Sequence, residues 1–191
     1  MFGLFKKKRK TTPVTATLNV RLMPIDRGDV FEDPMDEWLK EQGLGEVDGG
    51  GCALSESREI AYCDVEMNLV ETTDEVLDRV VSQLETLGAP KGSALRWGSQ
   101  TRAFGQNEGM AIYLNGTDLP DEVYKNHDVN NLVMKIDLAI EGKGSFFGGW
   151  DGPTETGIYC YGPSFEAMRE AVSPLLDTEP LAQKSRVVQV A

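Results

Sequence analysis

Tyr62, Asp64 and Glu66 occupy alternate positions in the stretch "IAYCDVEMNLV", and ninety-seven residues on the chain reads "GIYCYG", bringing Tyr159 and Tyr161. On a strand, where side chains alternate between faces, Tyr62, Asp64 and Glu66 share one side with Ile60, opposite Ala61, Cys63, Val65, Met67 and Leu69. Aromatic rings beside carboxylates can hold a ligand cation or a partner's basic side chain. Asp64 or Glu66 can also act as a general base, with Tyr62 or Tyr159 positioning substrate, where the setting raises the carboxylate pKa. Against both stands the reading that this surface is an interface between two halves of the chain, or a wetted sheet face.

The other chemistry-bearing residues are sparse. Cys63 and Cys160 fall on the inward side of their strands and read as small buried hydrophobes, since no histidine adjoins either and a nucleophilic thiol needs an activating base or cation. The single histidine, His127, lies in the polar stretch "YKNHDVNN", and one imidazole without a C-x-x-C pair makes the usual zinc site improbable. No metal or cofactor is expected. "GLGEVDGGG" does not qualify as a phosphate loop, because its glycines follow a helix and enter a strand, and no G-K-[ST] occurs. Gly49, Gly50 and Gly51, with Gly148 and Gly149, mark a bulge or a close backbone approach, where a ligand or partner strand can dock beside Trp150.

"IDRGDVFEDPMDEW" sets Asp26, Asp29, Glu32, Asp33, Asp36 and Glu37 against one arginine. The spacing does not match a calcium-binding EF-hand loop. It reads as a solvated acidic loop favouring the start of the next helix, or as a contact for a basic partner.

The elements that must position these residues follow from periodicity. "VTATLNVRL" alternates, with Val14, Ala16, Leu18, Val20 and Leu22 inward. A helix from Pro34 to Gly43 precedes two strands, "EVDGGGCALS" and "EIAYCDVEMNLV", paired as a hairpin. A capping box of Thr72 and Glu75 opens a helix whose stripe is Val76, Leu77, Val80, Val81, Leu84 and Leu87, and "SALRW" closes the unit. Residues 99–108 read as a linker. The pattern then restarts: "MAIYL" as strand, a helix carrying Val129, Leu132, Val133, Ile136 and Ile140, a glycine-rich hairpin from Gly144 to Gly162, and a helix capped by Ser164 that Pro174 ends or bends. "SRVVQVA" is the last strand. Aligning Cys63 with Cys160 also aligns Gly51 with Gly148, so the Tyr-Cys echo marks a copied module.

The order βαββαβ, found twice, resembles the ferredoxin-like fold, an antiparallel sheet carrying two helices on one face. The expectation is an α+β chain with a disordered basic tail (1–12), a first ferredoxin-like unit (13–98), a linker (99–108) and a second ferredoxin-like unit (109–191). The architecture hosts many functions and licenses no reaction.

Composition bounds the function. Of 191 residues, 40% are hydrophobic and 26% charged, which is ordinary globular usage. No apolar run reaches the ~18 residues that a spanning helix needs. Three cysteines without a pairing pattern point to the cytoplasm. The net charge is −12, yet five of the 19 basic residues stand in the first ten, leaving 14 against 31 acids in the body. Such a body repels nucleic acid and steers basic partners. The reversed order of charge and apolar residues in "MFGLFKKKRK" excludes a secretory signal and fits weak contact with an anionic membrane surface, a nuclear-import run or a frayed tail. The leading expectation is a protein-binding module for a basic partner, of inhibitor or immunity type. The alternatives are an enzyme or small-ligand binder using a cleft between the halves, and a membrane-peripheral adaptor.

Overall fold

A computed structural model describes residues 10–191 of the chain. Most of the basic tail lies outside the described residues. Among the described residues, nine strands and six α-helices follow in the order β1 (Thr12–Leu18), α1 (Pro24–Arg27), α2 (Asp33–Glu41), β2 (Gly45–Leu54), β3 (Ile60–Leu69), α3 (Asp74–Thr86), β4 (Ser93–Trp97), β5 (Gln100–Phe104), β6 (Glu108–Asn115), α4 (Asp121–Asn126), α5 (Val129–Ala139), β7 (Ser145–Asp151), β8 (Glu155–Gly162), α6 (Phe165–Leu176) and β9 (Arg186–Gln189). The first sheet has the order β2-β3-β1-β4-β5 and the second β7-β8-β6-β9, all antiparallel. Counted within each half, the second, third, first and fourth strands lie side by side both times. The chain is therefore an α+β protein of two ferredoxin-like units in tandem.

In the first unit, the alternation along β1 buries Val14, Ala16 and Leu18 as expected, and Val20 and Leu22 are buried too although the strand ends at Leu18. Phe31, Met35 and Leu39, at a spacing of four, cover these residues together with Val76, Leu77, Val80 and Leu84 of α3. Each such large apolar side chain contributes about 1.5–3 kcal/mol when fully buried. The other face of this sheet stays wet, which is why its strands alternate. In the second unit β6 and β8 are buried on both faces, so "MAIYL" and "GIYCY" are nearly unbroken apolar runs. Met110, Ile112, Leu114, Ile158 and Cys160 face α5 and α6, whereas Ala111, Tyr113, Tyr159 and Tyr161 join the core of the first unit.

Four local expectations need correction. The acidic "loop" is helical: α1 runs through a π-type turn, Gly28–Glu32, into α2, because Pro24 starts it and Phe31 supplies a buried anchor. The segment read as a linker contains β5, which pairs with β4 and extends the first sheet. The cap of α3 is Thr73, which accepts from the Val76 amide at 3.4 Å, one residue after the expected Thr72. Ile60, assigned to the outward face, is buried, because it joins the core cluster that also takes in Tyr113 and Tyr159 of the second unit. Ser164 caps α6 as expected, and the helix continues past Pro174 to Leu176. The glycine runs do mark bulges: the β2–β3 register shifts between Val47 and Gly49, and the β7–β8 register between Phe146 and Gly148.

Candidate functional site

The free face of the second sheet docks on the strand ends and turns of the first unit, and that junction places the chain's polar chemistry. Glu59, in the turn between β2 and β3, is its centre. Its Oε1 accepts from the hydroxyls of Tyr113 (2.6 Å) and Tyr159 (2.7 Å) and lies 3.1 Å from Arg21 Nε. Arg21 Nε is buried and makes no hydrogen bond among the described residues, so its attraction to Glu59 is coulombic. The Arg21 guanidinium stands 5.6 Å from the centre of the Tyr159 ring, and its backbone amide donates to the Tyr161 hydroxyl at 2.9 Å. Arg186 covers Tyr113 at 3.7 Å and forms a two-bond pair with Glu155 (2.9 and 2.8 Å). Burial, followed by the Glu59 hydrogen bond, pushes the Tyr113 phenol up to about 12 and raises Tyr159 too. Tyr161 is raised mainly by burial. Tyr113 and Tyr159 are donors held protonated and Tyr161 is an acceptor, and together they fasten the two units.

Beside this lock opens a cleft of about 1020 Å³. One wall comes from the first unit: Met23 and Pro24 at the start of α1, Arg27, and Gly50, Gly51, Cys52 and Leu54 of β2. The opposite wall comes from the β7–β8 hairpin, with Gly149, Trp150 and Asp151, and Tyr159 lies at the junction. Met23 and Leu54 are exposed at the mouth. Arg58, held at a φ of 64° in the β2–β3 turn, adds a cation that pairs with no carboxylate among the described residues.

Glycine is required on the first wall. Gly50 passes so close to the Asp64 carbonyl and the Glu32 carboxylate that a Cβ there would collide with both. The room it leaves holds Arg27, which is 7% exposed, donating from Nε to Glu32 at 2.7 Å and from Nη1 to Cys52 Sγ at 3.0 Å. Burial opposes the charge on Arg27, but Glu32 and Cys52 together more than offset it and raise its pKa.

No family model matches the chain, and no curated protein does. Among solved structures, the first two RRM domains of a yeast poly(U)-binding protein are similar at 13% identity and a TM-score of 0.25, over 93% of this chain and 99% of that one. An anthrone oxidase-like protein is similar at 10% identity and a TM-score of 0.29, over 95% and 91%. Neither likeness says what this chain binds.

The structure separates the expected site residues into three groups. Trp150 and Tyr159 line the cleft, with the glycine backbones of both hairpins. Tyr161 and Tyr159 are each 1% exposed, so they do not share an open surface with Tyr62, Asp64 and Glu66; their face is covered by the first unit. Tyr62, Asp64 and Glu66 stand on the wet face of the first sheet, outside the cleft. There Asp64 accepts from Thr17 Oγ1 at 2.5 Å and lies 3.6 Å from Arg96.

The acidic set also divides. Glu32 holds Arg27, and Asp36 accepts from Lys40 (2.5 Å) and the Val47 amide (3.0 Å), the lysine chiefly holding its carboxyl below the usual range. Asp26 is half-buried, its carboxylate 3.9 Å from where a Gly148 Cβ would sit. Asp29, Asp33 and Glu37 remain exposed at a spacing of four. His127 is exposed between α4 and α5.

Glu59, Arg21, Tyr113, Arg27 and Cys52 escaped the sequence reading. Glu59 sits in a turn, where strand periodicity is silent. The one available signal was the unbroken apolar run around Tyr113 and Tyr159, which implied that something covers both faces of those strands.

Proposed function

We propose that the protein is a binding module whose site is the cleft between the two ferredoxin-like units, taking a small organic molecule with an apolar, partly aromatic body and an anionic group. The observation that carries this is the cleft itself: both units contribute bare glycine backbone, Trp150 supplies ring surface, and Arg58 supplies a positive charge that pairs with no carboxylate among the described residues. Its volume of about 1020 Å³ lies at the upper end of ligand pockets, which run from about 300 to 1,000 Å³. Asp64 and Glu66 lie elsewhere, so a general-base reaction using them in this cleft has no geometric support, and a binding role needs none.

Anilinonaphthalene sulfonate, an aromatic anion, is a suitable probe. The native chain is expected to bind it at one site. Trp150→Ala should weaken the affinity about tenfold, as loss of a buried aromatic anchor does, and Arg58→Ala should weaken it less. Equal affinity in Trp150→Ala and wild type, measured by fluorescence titration, would reject the cleft as the site.

A second reading rests on the exposed acids. Asp29, Asp33 and Glu37 point outward from the helical segment and form a negative stripe suited to a basic protein surface, docking without use of the cleft. Association with such a partner should slow as ionic strength rises, and Asp33→Asn with Glu37→Gln should reduce the on-rate. A rate unaffected by salt removes this reading. Residues 1–10 add a further proposal, weak attachment to anionic membranes, which vesicle sedimentation of the full chain against a chain lacking them decides.

A further inference from the structure

We propose that Cys52 and Cys63 form a peroxide-reactive dithiol at the cleft, with Cys52 as the attacking sulfur, Arg27 as its activating cation and Cys63 as the resolving thiol. The site does not depend on what ligand the cleft takes.

Three independent observations meet there. First, the β2–β3 register sets Cys52 directly opposite Cys63, and the sulfurs are 3.2 Å apart. Directly opposed residues of an antiparallel pair have Cα atoms about 4.5 or 5.5 Å apart, and a disulfide accepts about 4.4–6.8 Å, so the backbone need not move for the bond to form. Second, Arg27 Nη1 donates to Cys52 Sγ at 3.0 Å, while Glu32 fixes the guanidinium from the other side. A neighbouring cation favours the thiolate, which is the reacting form. Third, Cys52 is half-buried and lines the cleft, so a small oxidant can reach it, whereas Cys63 is 0% exposed behind it.

The two sulfurs thus differ in setting though they touch. Burial, and after it the hydrogen bond with Cys52, pushes Cys63 up to about 12 and keeps it a thiol. Cys160, also pushed up to about 12 by burial, sits in the second unit's core and serves as an internal control.

The chemistry balances with a hydroperoxide as oxidant. The Cys52 sulfur attacks the nearer peroxide oxygen and the O–O bond breaks. Water or an alcohol leaves, taking the thiol proton, and Cys52 becomes a sulfenic acid; sulfur has lost two electrons and the peroxide has gained them. The Cys63 sulfur then attacks the Cys52 sulfur, the S–O bond breaks, and the departing hydroxide takes the Cys63 proton as water. The sum is two thiols and one hydroperoxide giving a disulfide, an alcohol or water, and water. The second step gains from proximity what Cys63 loses by being a poor thiolate.

The test treats the full chain with hydrogen peroxide and follows intact mass and a non-reducing peptide map. The expected result is loss of two hydrogens, a linkage joining the Cys52 and Cys63 peptides, and reversal by dithiothreitol. Cys63→Ser should stop at a sulfenic acid on Cys52 that dimedone traps. Cys52→Ser should abolish both products and leave Cys160 reduced. Arg27→Gln should slow the first step about tenfold through loss of the thiolate-stabilising cation, with Arg27→Lys between it and wild type. Should Arg27→Gln fail to fold, the cysteine variants decide alone. Oxidation of Cys160 at the rate of Cys52, absence of the Cys52–Cys63 linkage, or an undiminished sulfenic acid signal in Cys52→Ser would overturn the proposal.

Discussion

Glu59→Ala should cost about 3 kcal/mol of stability, the lower end of what breaking a buried ion pair does, and should loosen the second unit from the first. The carboxylate is the shared acceptor of Tyr113 and Tyr159 and the counter-charge of Arg21. Its removal strands two buried hydroxyls at about 1–3 kcal/mol each when no other partner is found, together with a guanidinium whose Nε already lacks a hydrogen bond. The Arg21 side chain is 22% exposed and Glu59 15%, so water recovers part of the loss. Glu59→Gln keeps an acceptor and should cost less. Urea unfolding measures both.

The same lock fixes the alkaline limit. An unfolded tyrosine titrates near 10.0, and Tyr113 in the folded chain near 12. Because the folded value is the higher, the contribution to stability is whole below pH 10 and is lost as the pH climbs through the folded value. Wild type should therefore lose stability between pH 10 and 12, and Tyr113→Phe should lose less over that window. Parallel slopes for the two would mean that Tyr113 is not buried against Glu59.

Gly50→Ala should be the second costly change, about 1–3 kcal/mol and occasionally more for overpacking. The added Cβ would meet the Asp64 backbone oxygen and the Glu32 carboxylate, and it would come within 3.2 Å of Arg27 Nε. A carbonyl inside a paired strand cannot yield, so either the β2–β3 ladder or the Arg27–Glu32 pair must. Both outcomes move Arg27 away from Cys52 and deform one wall of the cleft. Gly51 provides the contrast: its Cβ would meet nothing within 4 Å, so Gly51→Ala should be close to neutral. Equal effects of the two substitutions, read from thermal unfolding, would contradict the close approach assigned to Gly50.

Much of this architecture is written in the period of the apolar residues. The alternation through Val14 and Leu18, the stripe through Val76 and Leu84, and their return in the second half are local signals that fix element type and order, and with them the strand order of a repeated ferredoxin-like unit. Segments whose state is decided from outside were misread. Asp26 to Asp33 look like loop because acids dominate, yet Phe31 anchors them as helix in a core built by distant strands. Gln100 to Phe104 carry few apolar residues because β5, at the edge of the first sheet, buries Phe104 alone.

The site was legible to the same degree. The glycines and Trp150 announced themselves as shared features of two hairpins. The grouping of Tyr159 with Tyr62 followed from module symmetry, and docking breaks that symmetry: the second sheet's outward face is covered and the first sheet's is not. Glu59 and Arg21 become partners of residues 54 to 140 positions away only after docking, and no local pattern encodes that.

The central claim is that the two units are fastened face to turn through Glu59, and a double-mutant cycle on Glu59→Gln and Tyr159→Phe tests it most directly. These residues are 100 positions apart and 2.7 Å from contact to contact. The account predicts a coupling of about 1 kcal/mol or more in unfolding free energy, within the range for directly bonded pairs. Effects that add within about 0.3 kcal/mol, as independent sites do, would contradict it.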